Sequence, residues 1–256
     1  MIRWQAEAVW EAMSPVLPGF TVEVLPEIDS TNTELMRRAR TGQTEPVLLL
    51  AERQTAGRGR LGRPWASDVG ASLTLSLGLP LAPTDWSGLS LAVGVALAES
   101  LHPDVRIKWP NDLWLHERKL AGILIETAGT GTVAAPRFVV VGVGINITAR
   151  PAQGLSTPPA WLQELLPDVD APQALAQVAL PLVQAMRAFE ANGFSAFHDR
   201  FKARDALAGR IVVLSDGVQG QALGVGSDGA LLVHTASGMK QVTSSEVSVR
   251  PLGMGA

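Results

Sequence analysis

After the apolar run "PVLLLAE", Gly57, Gly59 and Gly62 spell G-x-G-x-x-G, with Arg58, Arg60 and Arg63 among them. In a doubly wound dinucleotide fold this turn opens a helix whose N-terminus holds a pyrophosphate. Here the next residues, "RPWASDVGAS", contain Pro64, Asp68 and Gly70 and lead into a strand pattern. No acidic residue follows on a second strand about twenty positions on, where that fold reads a ribose. A G-K-[ST] phosphate loop is absent too. The missing helix argues against a parallel nucleotide-binding sheet and leaves the loop to be explained otherwise.

Three uses of the loop remain open. Glycines free backbone N–H groups to face one anion, and arginines add forked donors suited to phosphate or carboxylate. Dense arginines beside Trp65 also suit nucleic acid. A solvated surface loop needs neither partner. The net charge of −3 gives no global reason to bind a polyanion, so any basic site is local.

The rest of the chain reads as a larger part mixing strands and helices, then a small all-β part. An amphipathic helix is expected over residues 3–17 and a strand at "TVEVLPEI". A helix then starts at "DSTN", with Ser30 or Thr31 as cap. A buried helix is expected over 85–101, capped by Asp85. Strands follow at "VRIKW", "DLWLH", "LAGILIET" and "RFVVVGVGINIT", the middle two joined by the polar turn "HERK". Residues 171–204 read as helical, with Pro181 as a kink and Asn192-Gly193 as a C-terminal stop. From Gly209, short strands with glycine turns predict a barrel.

Three further stretches carry candidate chemistry. In "IKWPND", Ile107 and Trp109 share one strand face and Lys108 takes the other. Pro110 ends the strand and presents Asn111 and Asp112. These are donors and acceptors for a nucleotide or Mg²⁺, or simply turn formers. In "KLAGILIE", Lys119 opens a strand, Gly122 permits close approach of a ligand, and Glu126 falls on the alternate face from Lys119. In "VGVGIN", glycines precede Asn146. The chain has four lysines and four asparagines, yet Lys108, Asn111 and Lys119 crowd into one short region.

With "DSTN" upstream, these stretches in this order resemble the biotin–protein ligases, whose pattern is S-T-N, G-R-G-R-x-G-R-x-W, K-W-P-N-D, K-x-x-G-I-L-x-E and G-x-G-I-N. The resemblance spans about residues 25–150 and more loosely the C-terminal part. It implies an α+β fold: a mixed β-sheet flanked by helices, like class II aminoacyl-tRNA synthetases and biotin–lipoyl ligases, with a small C-terminal SH3-like barrel. The implied domains are a catalytic biotin- and ATP-binding domain, 1–205, and the barrel, 206–256. The implied reaction joins biotin to AMP with ATP and Mg²⁺ as cosubstrate. Biotin then passes to a lysine of a biotin carboxyl carrier protein, such as the acetyl-CoA carboxylase subunit.

Residue by residue, the resemblance implies that Lys119, Arg60 and Arg58 are catalytic. Ser30, Thr31, Asn32, Gln54, Gly57, Arg58, Gly59, Arg60, Trp65, Lys119, Gly122 and Gly144 would bind biotin. Arg60, Arg63, Trp65, Lys108, Asn111, Asp112 and Asn146 would bind ATP, and Asp112 would meet Mg²⁺. The arginine loop would close over the ligand as a flap, with Gly57 and Gly59 permitting the motion. Two positions depart from the pattern: many bacterial members carry arginine at the place of Leu61 and a basic residue at that of Pro64. A lipoate–protein ligase of the same superfamily and a non-catalytic biotin-binding regulator are the rival readings.

Only about 25 residues precede the first motif, too few for the winged DNA-binding domain of repressor-type relatives, so no nucleic-acid partner is expected. No membrane partner is expected either, because the apolar runs are too short to span a bilayer. The absence of cysteine excludes disulfides, thiolate metal sites and cysteine nucleophiles, and fits a cytoplasmic protein. A monomer or weak homodimer is expected.

Overall fold

The structure, a computed structural model, describes residues 2–129, 136–152, 157–243 and 249–252. Its larger sheet has seven strands in the order β1-β2-β3-β7-β6-β5-β4. These are β1 (Thr21–Ile28), β2 (Val47–Gln54), β3 (Ser72–Leu81), β4 (Arg106–Lys108), β5 (Asp112–Leu115), β6 (Arg118–Ala128) and β7 (Arg137–Asn146). Only β1 and β2 run parallel, joined through helix α2 (Thr31–Arg40); the other neighbours are antiparallel. The sheet is therefore mixed, as expected for the α+β class.

Helices α1 (Ala6–Met13), α3 (Leu89–Leu101) and α4 (Ala171–Asn192) join the main core, while α2 lies against β3, β6 and β7 over a smaller apolar cluster. The two faces of the central strands differ in residue size. On β3, Leu73, Leu75, Leu77 and Leu79 enter the main core, and Thr74, Ser76 and Gly78 alternate with them. Gly142 and Gly144 on β7 pair with Ser76 and Thr74, and Gly122 on β6 pairs with Gly144. Small residues thus leave one face of the sheet hollow beside α2.

Several boundaries differ from expectation. Helix α1 covers Ala6–Met13 rather than 3–17, with Gln5 in a left-handed conformation before it. Asp85 does not cap α3. Gly88 precedes the helix at φ 80°, and Asp85 Oδ1 instead accepts from the Ser87 N–H at 2.8 Å, in the turn before it. Gly88 is pressed against the Phe194 ring, which leaves no room for a side chain there. Helix α4 does end at the stop expected at Asn192-Gly193, with Gly193 at φ 65°, and a 3₁₀ turn, Phe194–Phe197, and a short helix, α5 (His198–Lys202), follow it.

The C-terminal part is a five-stranded antiparallel sheet in the order β11-β10-β9-β8-β12. Its strands are β8 (Ile211–Leu214), β9 (Gln219–Val225), β10 (Leu231–Thr235), β11 (Gly238–Val242) and β12 (Val249–Pro251). Among the described residues no pairing of β11 with β12 closes it into the expected barrel. It docks through its β9–β10 turn: buried Trp109 donates its indole N–H to the Gly229 carbonyl at 3.0 Å.

Candidate active site

The hollow face of the sheet forms a cavity of about 400 Å³. One end is built by the N-terminus of α2. Ser30 caps the helix, its Oγ accepting from the Thr33 N–H at 3.4 Å. Thr31 donates both its N–H and its hydroxyl to Gln54 Oε1, at 2.7 and 3.1 Å. Asn32 is buried, and both polar atoms of its side chain are satisfied. Its amide donates to the Leu124 carbonyl at 3.2 Å and to Glu126 Oε2 at 3.0 Å. Its Oδ1 lies 2.6 Å from Ser76 Oγ, which also lies 2.7 Å from Thr31 Oγ1. A Cβ on Gly142 would overlap Asn32 Oδ1, so glycine there makes the space for this side chain.

The glycine–arginine loop folds over the cavity as a small hairpin-like lobe. Gly59 N–H donates to the Arg63 carbonyl at 2.7 Å, and Trp65 N–H to the Gly57 carbonyl at 2.8 Å. Gly57 is glycine for space, since a Cβ would overlap the Trp65 carbonyl oxygen. Leu61 sits at the tip, 69% exposed, with φ 56°. Arg58 and Arg60 reach in opposite directions. Arg58 pairs with Glu126 at 3.1 Å and donates to Thr33 Oγ1 at 3.1 Å, beside the α2 end. Arg60 Nη1 lies 3.4 Å from Asn111 Oδ1, beside the β4–β5 turn.

The other end gathers cations. Lys119 Nζ pairs with Asp112 Oδ1 at 2.7 Å. A register shift between β5 and β6 pairs Leu113 with Ala121 but Trp114 with Lys119, leaving Leu120 as an extra residue. This bulge inverts the alternation. Lys119 therefore joins Gly122 on the cavity side, its Nζ within 3.3 Å of where a Gly122 Cβ would stand. The expected separation of Glu126 from Lys119 does not hold, because Glu126 meets Asn32 and Arg58 on that same side.

Lys108 is almost fully buried. Desolvation pushes its ammonium down to about 8, helped by Lys119, Arg63 and Arg60 and opposed by Asp112. Burial also lowers Arg60 and Arg150 below the ordinary arginine value.

Trp65 lies between these two ends. Its indole rests on Gly144, where a Cβ would overlap the ring, and near Gly122. Lys119 Nζ and the Arg150 guanidinium each lie 5.7 Å from its ring centroid. Arg150 also donates to Asn146 Oδ1 at 2.9 Å. The Asn146 amide donates to the carbonyls of Lys119 and Ala160, so Asn146 ties β7 to the start of β6. Asn111 does similar work through its bond to the Ile123 carbonyl at 2.7 Å.

The cavity wall thus brings together all the expected site residues except Gly57, which shapes the loop behind it. Sequence reasoning missed Arg150 and Ser76, and it read Gly142 only as a glycine of close backbone approach. Arg150 left a trace as a basic residue four positions after Asn146. Asp112 is the one carboxylate among the described lining residues, which also include the cations Arg58, Arg60, Arg63, Lys108, Lys119, Arg150 and Arg250. Such a wall suits a ligand carrying several negative charges. A Mg²⁺ accompanying it would find one protein carboxylate and take its remaining ligands from phosphate and water. No cluster of three or more metal-binding side chains occurs among the described residues.

Residues 24–146 match the biotin/lipoate A/B protein ligase family, and residues 209–250 match the biotin protein ligase C-terminal domain. The chain is 38% identical over 246 residues to the bifunctional ligase/repressor BirA of Escherichia coli, covering 91% of this chain and 75% of that protein. It is 31% identical over 247 residues to the biotin–[acetyl-CoA-carboxylase] ligase of Paracoccus denitrificans, covering 88% and 98%. Its fold superposes on the Aquifex aeolicus biotin protein ligase solved with biotin and ATP. The TM-score is 0.76, with 29% identity and coverage of 90% of this chain and 98% of that one. The chain belongs to the biotin/lipoate A/B protein ligase family.

Proposed function

We propose that this cavity joins biotin to AMP and passes it to a lysine of a biotin carboxyl carrier protein, making the chain an ATP-dependent biotin–protein ligase. The observation that carries this reading is the division of one cavity into a neutral polar end, at Ser30, Thr31 and Gln54, and a cationic end, at Lys108, Lys119 and Arg60. A neutral ureido group suits the first, and a carboxylate meeting a triphosphate suits the second. Proteins similar to this chain are named biotin–[acetyl-CoA-carboxylase] ligases.

In the first step a carboxylate oxygen of biotin attacks the α-phosphorus of ATP. The bond to the β-phosphate oxygen breaks, and pyrophosphate leaves. The chemical difficulty is bringing two anions together. Lys119, Arg60 and Lys108 supply fixed positive charge there, and such a preorganised donor is worth about 3 kcal/mol in the transition state. Asp112 holds the Lys119 ammonium in place. Trp65 and the loop from Gly57 cover the acyl-adenylate and exclude water, which would hydrolyse it.

In the second step a carrier lysine amine attacks the acyl carbon. AMP leaves, and the amine loses a proton. Arg63, Asn111 and Asp112 serve the nucleotide in this reading, while Asn32 and Asn146 act mainly by holding the walls.

Several finer points belong to the same proposal. Residues 1–205 act as the catalytic unit and 206–256 as its C-terminal companion. The protein works in the cytoplasm as a monomer or weak homodimer, and no helix of the described residues is long and apolar enough to cross a membrane. Pyrophosphate–ATP exchange tests the reading: exchange is expected with biotin as the only acid. Exchange with lipoate alone would move the chain to the lipoate branch of its family, and binding of biotin without exchange would make it a regulator.

A further inference from the structure

Glu126 does not line the cavity, yet it touches both elements that close the cavity's α2 end. Its Oε2 accepts from the Asn32 amide at 3.0 Å. Its two oxygens accept from Arg58 Nη2 at 3.1 and 3.2 Å. Asn32 is itself held by the Leu124 carbonyl and by Ser76. Arg58 gains a second hold through Thr33 Oγ1. The carboxylate therefore links the buried polar floor to the loop that forms the roof.

We propose that Glu126 is a positioning residue that fixes the closed loop over the ureido-binding end of the cavity by holding Arg58 against Asn32. The inference rests on the ligase reading above. Its physical basis is the direction in which the two loop arginines point. Arg60 extends toward Asn111 at the nucleotide end, and Arg58 extends toward Glu126 at the opposite end. A loop tied on both sides of the cavity is held shut along its length. Releasing the Glu126 side frees the roof above Ser30 and Thr31 and leaves the Arg60 side in place.

The effect on substrates is therefore one-sided. Loss of the tie weakens retention of the acid and its adenylate more than binding of ATP. A residue with a merely structural role would disturb both together.

The test uses the full chain in pyrophosphate–ATP exchange, with the wild type measured first. Failure of the wild type to exchange with biotin would sink the ligase reading rather than this one. Glu126→Gln removes the charge but keeps the shape. It is expected to raise the KM for biotin about tenfold and leave that for ATP within about twofold, the size of a coupled pair. Arg58→Lys, at an exposed position, has one nitrogen and cannot hold Thr33 Oγ1 and Glu126 together as Nε and Nη2 do, so it should give the same split. The double variant should be no worse than the worse single, since both changes cut one link. An unchanged biotin KM in both single variants, a parallel rise for both substrates, or fully additive losses would overturn the proposal.

Discussion

Lys119 Nζ lies 2.7 Å from Asp112 Oδ1, and the two residues stand on neighbouring strands where one extra residue, Leu120, reverses the alternation of side chains. Without that bulge Lys119 would point into the opposite face of the sheet. The pair places a positive charge and its counter-charge together at the cationic end of the cavity.

Lys119→Ala removes the charge and leaves Asp112 facing an incoming carboxylate. Adenylation should fall about 100-fold or more, the usual cost of losing one transition-state donor. The fold should persist, because Lys119 is partly exposed and buries no apolar contact of the core. Exchange kinetics together with a thermal melt check both statements. Near-normal exchange would remove Lys119 from the chemistry.

Lys108 makes nucleotide use depend on pH. Its ammonium titrates near 8 in the folded chain, against an ordinary value of 10.5. Above pH 8 the folded protein loses this charge, so kcat/KM for ATP should decline there in the wild type. Lys108→Arg keeps the charge and should flatten that limb. The stability effect has a defined sign. A lysine lowered by folding destabilises fully below pH 8, where both states carry the proton. That penalty is relieved as pH rises toward 10.5, because the unfolded chain then binds more protons. The stability advantage of Lys108→Met over the wild type should therefore shrink between pH 8 and 10, measured by denaturant titration.

The glycines of the cavity floor are not equivalent. A methyl group on Gly142 would overlap Asn32, which three hydrogen-bond partners hold in place. Gly142→Ala should cost about 1–3 kcal/mol of stability, as overpacking of a fixed site does. A methyl group on Gly122 would stand 3.3 Å from the end of the Lys119 side chain, which can give way. Gly122→Ala should therefore fold nearly as well as the wild type. Paired thermal melts decide this, and equal losses would contradict the packing described here.

Much of the site was legible because its motifs are local in sequence. "GRGRLGR" could not open a helix, and the chain does turn there into a looped lobe and then β3. Ile107 and Trp109 were assigned to the core face and Lys108 to the other, and Trp109 is fully buried while Lys108 lines the cavity. What stayed hidden depends on register and distant contact. The bulge at Leu120 moved Glu126 to the side of Lys119, and no single residue signals it. Gly142 reads as a tight-packing glycine until Asn32 is seen against it. The cap expected at Asp85 yielded to Gly88, whose left-handed turn is fixed by Phe194 from a remote segment. Arg58 was expected to meet the ligand; it lines the cavity, and its Nη2 also pairs with Glu126, a contact between segments far apart in sequence.

The most direct test is transfer itself. The purified chain is incubated with ATP, Mg²⁺, biotin and a biotin carboxyl carrier domain, and the carrier is then weighed by mass spectrometry. The account predicts a mass gain of one biotinyl group that requires ATP and disappears when the carrier's acceptor lysine is replaced. A carrier of unchanged mass, from enzyme that still binds biotin, would contradict it.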